Sequence, residues 1–417
     1  MPDKHRRLQE NLNHGKSVVR FFTLLILLLA FLFFTNDFGF IEVQKTAIVT
    51  AVGIDRQEDT FIVTSQITLP KSNNGGDSSG ANPPSSVQLT SRGKTVADAF
   101  NQINAKTGWY PKLVFCNLII LGEKTLEKNI FDVLDFFLRS EYALDSALVC
   151  TCFGEAKELL DTPTSTDQSS GLAIEKILSP HAKQVGTALP NTLREVADDH
   201  YLEASCTFLP IVSAREQQEK VGENKKNSSK KEESTEKSSQ NEEGKGTQSK
   251  SMVFNGSKTA LLHNGIKVGE FDEEQTFAFA LIKNKLRLAS FTIDDNDSSF
   301  TLDIKKNSPS VKFTAKDDPV LDVNVTLRTG ISDASISEGK QFVKDTGALN
   351  EENLKKAEER TKKLITQIFE KCRALNCDLF ELLDSLKKYE IDKYHDLKDS
   401  VLQKTKLNVN VQFKNIR

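Results

Sequence analysis

Two cysteines stand close together in an apolar stretch of the chain. Cys150 and Cys152 lie within the segment from Ala147 to Phe153. Closely spaced thiolates bind soft metals or exchange disulfides. A structural zinc site needs further ligands, and the sequence offers no second cysteine pair or nearby histidine here. Because residues two apart on a strand face the same side, the pattern favours two core residues over a metal or redox centre.

The other cysteines give weaker signals. Cys372 and Cys377 flank the predicted end of a long helix, so a disulfide between them is one alternative and two unpaired thiols the other. Six cysteines in 417 residues are too sparse for a disulfide framework.

Two polar clusters could carry acid–base or metal chemistry. Asp272, Glu273 and Glu274 form a run of acids that could cleave a glycosidic bond as a carboxylate pair. Acids at the start of a helix more simply cap its free N–H groups and interact favourably with its dipole. The segment Asp198-Asp199-His200 could likewise bind a metal, but a solvated helix end is the simpler interpretation. The sequence therefore predicts no catalytic residue, no metal ligand and no cofactor.

The elements around these residues alternate between strand and helix patterns. Thr46–Ile54 and Phe61–Ile67 are rich in β-branched residues and predict a hairpin. The dipeptide Asn264-Gly265 predicts a second hairpin. One strand is predicted over Leu113–Leu121. Two separate strands are predicted over Phe300–Ile304 and Ser310–Ala315. A helix over Thr125–Arg139 and a long helix after Asn350 complete an α+β pattern.

A basic head and an apolar run precede these elements. The residues that predict a membrane anchor are Phe21, Phe22, Leu24, Leu25, Ile26, Leu27, Leu28, Leu29, Phe31, Leu32, Phe33 and Phe34. Basic residues stay on the cytoplasmic side, so the N-terminus should be cytoplasmic and the bulk extracytoplasmic. The run is short for a spanning helix, which leaves a cleaved signal peptide as the alternative. No small-x-small cleavage site follows, which favours a retained single-pass signal anchor.

These patterns predict an α+β fold: one N-terminal transmembrane helix followed by an ectodomain of several small mixed sheet-plus-helix domains. A basic head is predicted at 1–17 and a transmembrane anchor at 18–36. An N-terminal region of two subdomains at 42–213 follows, then a disordered charged linker at 214–251 and a C-terminal α+β domain at 252–417. The linker is almost devoid of apolar residues and cannot offset its chain entropy by burial.

Composition and exposed aromatics bear on partners. With 55 basic and 58 acidic residues, the chain has no basic excess and no nucleic-acid partner is expected. Trp109 and Tyr110 precede Pro111 at a predicted turn. They form a candidate contact patch, with partial burial against the sheet as the alternative.

Several phrases, taken in their order and spacing, resemble the Ger(x)C family, the C subunits of nutrient germinant receptors in bacterial endospores. The phrases lie at 45–55, ending in Gly-Ile-Asp, and at 154–160, 208–212, 258–262 and 265–275. The resemblance covers roughly residues 42 to 417. The family normally carries a lipid on an N-terminal cysteine, whereas the first cysteine of this chain is Cys116.

The resemblance implies three small α+β domains and a non-catalytic accessory role in nutrient-triggered germination. It implies partners in the spore inner membrane: a transporter-like, ligand-sensing subunit and a second integral-membrane subunit. The rival hypothesis is a membrane-tethered envelope enzyme, such as a peptidoglycan hydrolase. A cleft lined by two carboxylates with shifted pKa values would favour that rival.

Overall fold

The structure is a computed structural model that describes residues 19–29, 46–68, 86–164, 167–179, 188–216, 252–286, 288–295, 298–315, 318–335 and 351–416. Contacts divide the chain into two units, residues 1–46 and 47–417.

Residues 19–29 form a helix, α1, whose apolar side chains are exposed. The hydroxyl of Thr23 lies 3.0 Å from the carbonyl oxygen of Val19 and 2.9 Å from that of Arg20. The one polar side chain of the run therefore finds its hydrogen-bond partner within the helix. None of the helices that the structure describes combines the length and the apolar character needed to cross a membrane. Four predicted anchor residues lie outside the described residues: Phe31, Leu32, Phe33 and Phe34.

The strands of the described residues lie in the second unit, apart from the first residue of β1. The strands are β1 (Thr46–Gln57, which begins at the last residue of the first unit), β2 (Thr60–Thr68), β3 (Ser86–Gly93), β4 (Tyr110–Lys112), β5 (Leu118–Leu121), β6 (Leu148–Cys152), β7 (Asn191–Thr192), β8 (Cys206–Glu216), β9 (Met252–His263), β10 (Ile266–Phe271), β11 (Ala289–Asp295), β12 (Ser298–Thr314), β13 (Val320–Ser335) and β14 (Lys406–Asn415).

Ten helices accompany them in the described part of the second unit. They are α2 (Val96–Thr107), α3 (Phe131–Arg139), α4 (Ala156–Asp161), α5 (Ser170–Leu178), α6 (Leu193–Tyr201), α7 (Glu273–Ile282), α8 (Glu351–Ala374), α9 (Leu382–Tyr389), α10 (Ile391–Leu397) and α11 (Val401–Lys404).

The larger sheet has the order β10-β9-β8-β6-β5-β1-β2-β3, with β4 beside β1 and β7 beside β6. Both predicted hairpins are confirmed: β1 pairs antiparallel with β2, and β9 with β10. Asn264 and Gly265 both adopt positive φ at the second turn, the conformation that an Asn-Gly hairpin turn requires. Strands β1, β5, β6 and β8 run parallel at the centre.

The central strands of this sheet are buried on both faces. All four residues of β5 are buried, and they alternate between two hydrophobic clusters. Ile119 belongs to the cluster that contains α2 and α3, whereas Ile120 belongs to the cluster that contains α4 and α5. Continuous apolar runs such as β5 are typical of parallel strands covered by helices on either side.

The smaller sheet has the order β11-β12-β13-β14. The last strand, β14, runs parallel to β13 from Val320 opposite Lys406 to Thr329 opposite Asn415. Helix α8 covers one face with a stripe of residues in which Leu354 is only half-buried and the others are buried: Ala357, Thr361, Leu364, Ile365 and Ile368. The fold is therefore the mixed α+β fold that the sequence predicts.

The larger sheet contains strands from both sides of residues 217–251. Strand β8 pairs antiparallel with β9 from Cys206 opposite His263 to Glu216 opposite Met252. Residues 214–216, predicted as linker, thus belong to β8, and residues 217–251 lie outside the described residues. The predicted division into domains stays a prediction.

Three predicted elements were wrong in extent. The helix expected over Thr125–Arg139 begins only at Phe131, after a short 3₁₀ turn at Glu123–Glu127. The carbonyl of Gly265 accepts from the N–H of Ile130, and the side chain of Asn129 accepts from Phe131. These contacts fix a new helix start that local propensity does not reveal.

The strand expected over Leu113–Leu121 is confined to Leu118–Leu121, because a turn joins the N–H of Cys116 to the carbonyl of Leu113. In the opposite sense, the two strands expected on either side of residues 305–309 are one strand, β12. Its pairing with β13 continues through Pro309, with irregularities near Thr301 and Ile304.

Candidate partner-binding surface

The predicted aromatic patch, Trp109 and Tyr110, follows directly after the end of helix α2. Thr95 caps the helix by accepting from the N–H of Asp98 at 3.1 Å. The helix ends at Gly108, whose φ of 70° is a left-handed conformation that favours glycine. The carbonyl of Trp109 then accepts from the side chain of Asn104 at 3.3 Å. The reversal after α2 therefore places Trp109 and Tyr110 at a fixed position beside the helix.

The two aromatic residues have different environments. Trp109 is half-buried and packs against the cluster that contains α2 and α3. Tyr110 begins β4 and is 46% exposed. The structure therefore places Trp109 partly buried against the core and leaves Tyr110 as the more accessible of the two residues.

A concave region of about 490 Å³ surrounds Tyr110, and we call it the Tyr110 pocket. Lys112 lies two residues after Tyr110, on the same face of β4. Its ammonium nitrogen lies 5.3 Å from the ring centre of Tyr110 and 4.9 Å from that of Tyr142. Tyr142 is 58% exposed. Two accessible tyrosine rings thus flank one cation.

Buried and half-buried aromatic rings support this pocket. Phe100 and Phe136 stack with their centres 5.2 Å apart, and Phe136 meets Phe137 edge-on at 5.1 Å. Asn101 and Asn104 add amide groups to the lining. Rigid aromatic anchors beside a few polar groups are characteristic of the residues that contribute most to protein–protein binding. The Tyr110 pocket has this composition, and its lining contains no carboxylate and no histidine.

The acids at the start of α7 do not converge. Asp272 and Gln275 form a reciprocal capping box, which confirms the predicted cap. Glu273 accepts from the hydroxyl of Ser257 at 2.6 Å, whereas Glu274 pairs with Arg360 on α8 at 2.5 Å. Each carboxylate therefore has its own structural partner.

The second polar cluster also separates. Asp199 accepts from Thr207 at 2.7 Å, and burial raises the pKa of its carboxyl. His200 stacks on Phe131 with ring centres 3.7 Å apart, and burial lowers the pKa of its imidazole. Among the residues that the structure describes, no group of three or more histidine, cysteine or acidic side chains could hold a metal ion.

Cys150 and Cys152 lie buried on β6 and belong to one hydrophobic cluster, as predicted. Burial raises the pKa of both thiols, which disfavours the reactive thiolate form.

The aspartate of the Gly-Ile-Asp phrase has a role that sequence reasoning missed. Asp55 ends the buried part of β1 and accepts from the N–H groups of Ala156 and Lys157 at 2.7 and 3.0 Å. It thereby caps α4 from a distant strand. Burial raises the pKa of Asp55, and the two N–H donors partly offset that rise. The residue before α4, Glu155, does not cap the helix with its own side chain, and this missing local cap was the signal that a distant residue supplies it.

The partners of Tyr110 were also missed. Lys112 could have been found, because residues two apart on a strand share a face. Tyr142 follows α3 and gives no local signal that it meets Lys112.

Comparison with known proteins decides the family. A model described as the spore germination protein N-terminal domain matches residues 40–214. A second, described as spore germination B3/GerAC-like, C-terminal, matches residues 257–417. The chain belongs to the Ger(x)C family of spore germination proteins. The predicted resemblance is confirmed. The aspartate of the Gly-Ile-Asp phrase, Asp55, caps helix α4 within the Ger(x)C fold.

Individual relatives agree. Spore germination protein B3 of Bacillus subtilis (strain 168) is 27% identical over 33% of this chain and 36% of its own length. The putative spore germination protein YfkR of the same organism is 23% identical over 42% of this chain and 44% of its own. The chain thus aligns with less than half the length of either relative.

A solved structure shows the fold. The crystal structure of the GerBC protein matches with a TM-score of 0.50 and 16% identity, covering 88% of this chain and 97% of that chain. The α+β architecture described above is therefore a GerBC-like fold.

Proposed function

We propose that this Ger(x)C protein is a non-catalytic subunit of a spore germinant receptor, and that it binds integral-membrane partner subunits outside the membrane. Family membership supports the role in germination. The Tyr110 pocket is the single observation that supports binding as the activity, because it presents two accessible tyrosines around one cation. The separate structural partners of Glu273 and Glu274 give no support to a glycan-cleaving enzyme.

The binding surface is tested by co-purification from detergent-solubilised spore membranes. We expect the double variant Tyr110→Ala/Tyr142→Ala to recover at least about tenfold less of the integral-membrane subunits, since aromatic anchors contribute most to such interfaces. Tyr389→Ala is the matched control, because Tyr389 is 71% exposed and also lies beside a lysine, Lys388, at 5.1 Å.

Undiminished recovery with the double variant, at an unchanged melting temperature, contradicts this surface. A loss of recovery that Tyr389→Ala shares equally does so too, since it would show a general effect of removing exposed tyrosines.

We further propose that the apolar run from Phe21 to Phe34 is retained as a single-pass anchor, with the bulk extracytoplasmic at the spore inner membrane. The proposal is supported by the exposed apolar side chains of α1 and by the internal hydrogen bonding of Thr23. The intact mass of the membrane-extracted protein should include the residues before Val18. A mature N-terminus between Phe34 and Val43 contradicts it.

A further inference from the structure

Three cysteines from distant parts of the sequence meet in the core. Cys206 begins β8, Cys372 lies in the last turn of α8, and Cys377 follows that helix. All three belong to one hydrophobic cluster, are buried and are free thiols. They lie in different family matches, since Cys206 falls within residues 40–214 and the others within 257–417.

Cys206 and Cys377 are direct neighbours. A hydrogen bond between their side chains, followed by burial, raises the pKa of the Cys377 thiol. Independent geometry places them at the same point of the larger sheet. Cys206 lies opposite His263 in the β8–β9 pairing. The Cys377 thiol lies 3.5 Å from the carbonyl oxygen of Leu262, the residue that precedes His263 on β9.

We propose that Cys206 and Cys377 form a disulfide site that covalently joins the two family-matched regions. Cys206 lies opposite His263 and Cys377 contacts the adjacent residue Leu262, so we expect a bond of about 2.05 Å to need only local adjustment around the two side chains. Cys206 would give up its contact to the carbonyl of Ala204 at 3.2 Å, and Cys377 its contact to Leu262. Both are weak thiol hydrogen bonds.

The oxidant is a small-molecule disulfide, which reaches the pair from one side. Cys206 lines a solvent-open pocket of about 220 Å³ together with His263 and Asp378. The Cys206 thiolate attacks the small disulfide and displaces one thiolate, forming a mixed disulfide. Cys377 then loses its proton, which its raised pKa makes the slow step, and its sulfur attacks the Cys206 sulfur and displaces the second small thiolate. Two protein thiols and one disulfide become one protein disulfide and two small thiols.

Cys150 and Cys152 provide an internal control. They too are buried together, yet they occupy one extended strand two residues apart. Their Cα atoms are about 6.6 Å apart by strand geometry, at the outer limit for a disulfide, and their side chains project in parallel. Cys206 and Cys377 instead lie on separate elements beside the same two residues of β9, Leu262 and His263, and this placement defines the site.

The test is disulfide mapping of the full-length, detergent-solubilised protein by mass spectrometry. The protein is incubated under native conditions with oxidised glutathione, quenched with a thiol-blocking reagent and digested without reduction. We expect a linked peptide pair containing Cys206 and Cys377, abolished by Cys206→Ser or Cys377→Ser and retained in Cys372→Ala. Oxidised wild type should melt about 5 °C higher than the protein treated with a reductant.

Wild-type mapping alone decides the outcome if a variant does not fold. A stable glutathione adduct on Cys206 without the linked peptides overturns the proposal. So does a predominant link between Cys372 and Cys377, or equal linking of Cys150 to Cys152. The result is independent of the Tyr110 pocket, so failure of the partner-binding experiment leaves it standing.

Discussion

The two sheets of this protein bury their strands by different rules. In β5 of the larger sheet every residue is buried, because helices cover both faces. In β13 of the smaller sheet burial alternates, with Val323 buried and Asn324 exposed. A polar group in the centre of the larger sheet must therefore find a partner inside the protein. The smaller sheet can point its polar groups to water.

The largest effects are expected from polar substitutions in β5, where every position is buried, compared with β13, where burial alternates. We expect Ile119→Asn and Ile120→Asn each to lower the free energy of unfolding by about 3 kcal/mol or more, since both faces are apolar. Val323→Asn should cost a similar amount, whereas its neighbour Asn324→Ser should cost about 0.5 kcal/mol or less. Chemical denaturation of the four variants measures this. Tolerance of either isoleucine change would show that one face of β5 is open.

Two glycines give the next comparison. A Cβ atom on Gly122 would lie 1.9 Å from a carboxylate oxygen of Asp55, whereas one on Gly330 in β13 would meet nothing within 4 Å. We expect Gly122→Ala to destabilise the protein by about 2 kcal/mol, because the carboxylate must leave its position at the start of α4. Gly330→Ala should be neutral within about 0.5 kcal/mol or stabilising. Equal effects on the melting temperature would refute the role assigned to Asp55.

The two sheets should also respond to pH with opposite signs. Burial raises the pKa of Asp55 above its ordinary 3.8, so the folded state holds that proton more tightly. The hydrogen bond from Lys305 lowers the pKa of Asp303 in β12, so the unfolded state holds that proton more tightly. As the pH falls from 7 towards 4, wild type should gain stability relative to Asp55→Asn.

Relative to Asp303→Asn, wild type should instead lose stability as the pH falls below about 4. The loss should be small, because the partner Lys305 is 55% exposed and solvent screens the pair. Unfolding of both variants and wild type across this range checks the pair of signs. Parallel curves for wild type and Asp55→Asn would mean that the Asp55 carboxylate is not buried as described.

The smallest effect is expected at the start of α7. Glu273→Gln/Glu274→Gln should leave germination intact and change stability by about 1 kcal/mol or less, because both ion pairs are substantially exposed. Germination assays with spores that carry the double variant measure this. Loss of germination while the folded variant still binds its membrane partners would favour the enzyme hypothesis.

Strong local signals predicted much of the fold. The Asn264-Gly265 turn and the Asp272 cap depend on residues a few positions apart, and both are confirmed. The single strand β12 was missed because its polar residues and Pro309 resemble a break in sequence. Pairing with β13 along both halves overrides that local pattern.

The candidate surface and the thiol site were less accessible to sequence reasoning. Tyr110 was identified from its type alone, but its significance depends on Tyr142, which the fold brings to the same lysine. Cys206 and Cys377 come from opposite sides of the charged segment, and only the β8–β9 pairing together with the turn after α8 joins them. Contacts between residues so distant in sequence leave no periodic pattern to detect.

The pairing of β8 with β9 also bears on how the chain is made. A polypeptide emerging N-terminus first presents residues 206–216 before residues 252–263 are available to pair with them. During that interval this margin of the nascent sheet carries unpaired N–H and C=O groups, a template for association with other chains. At a synthesis rate of about 5–20 residues per second, the interval lasts several seconds. The hydrophilic segment between the two strands thus sets a kinetic window in which chaperone protection matters most.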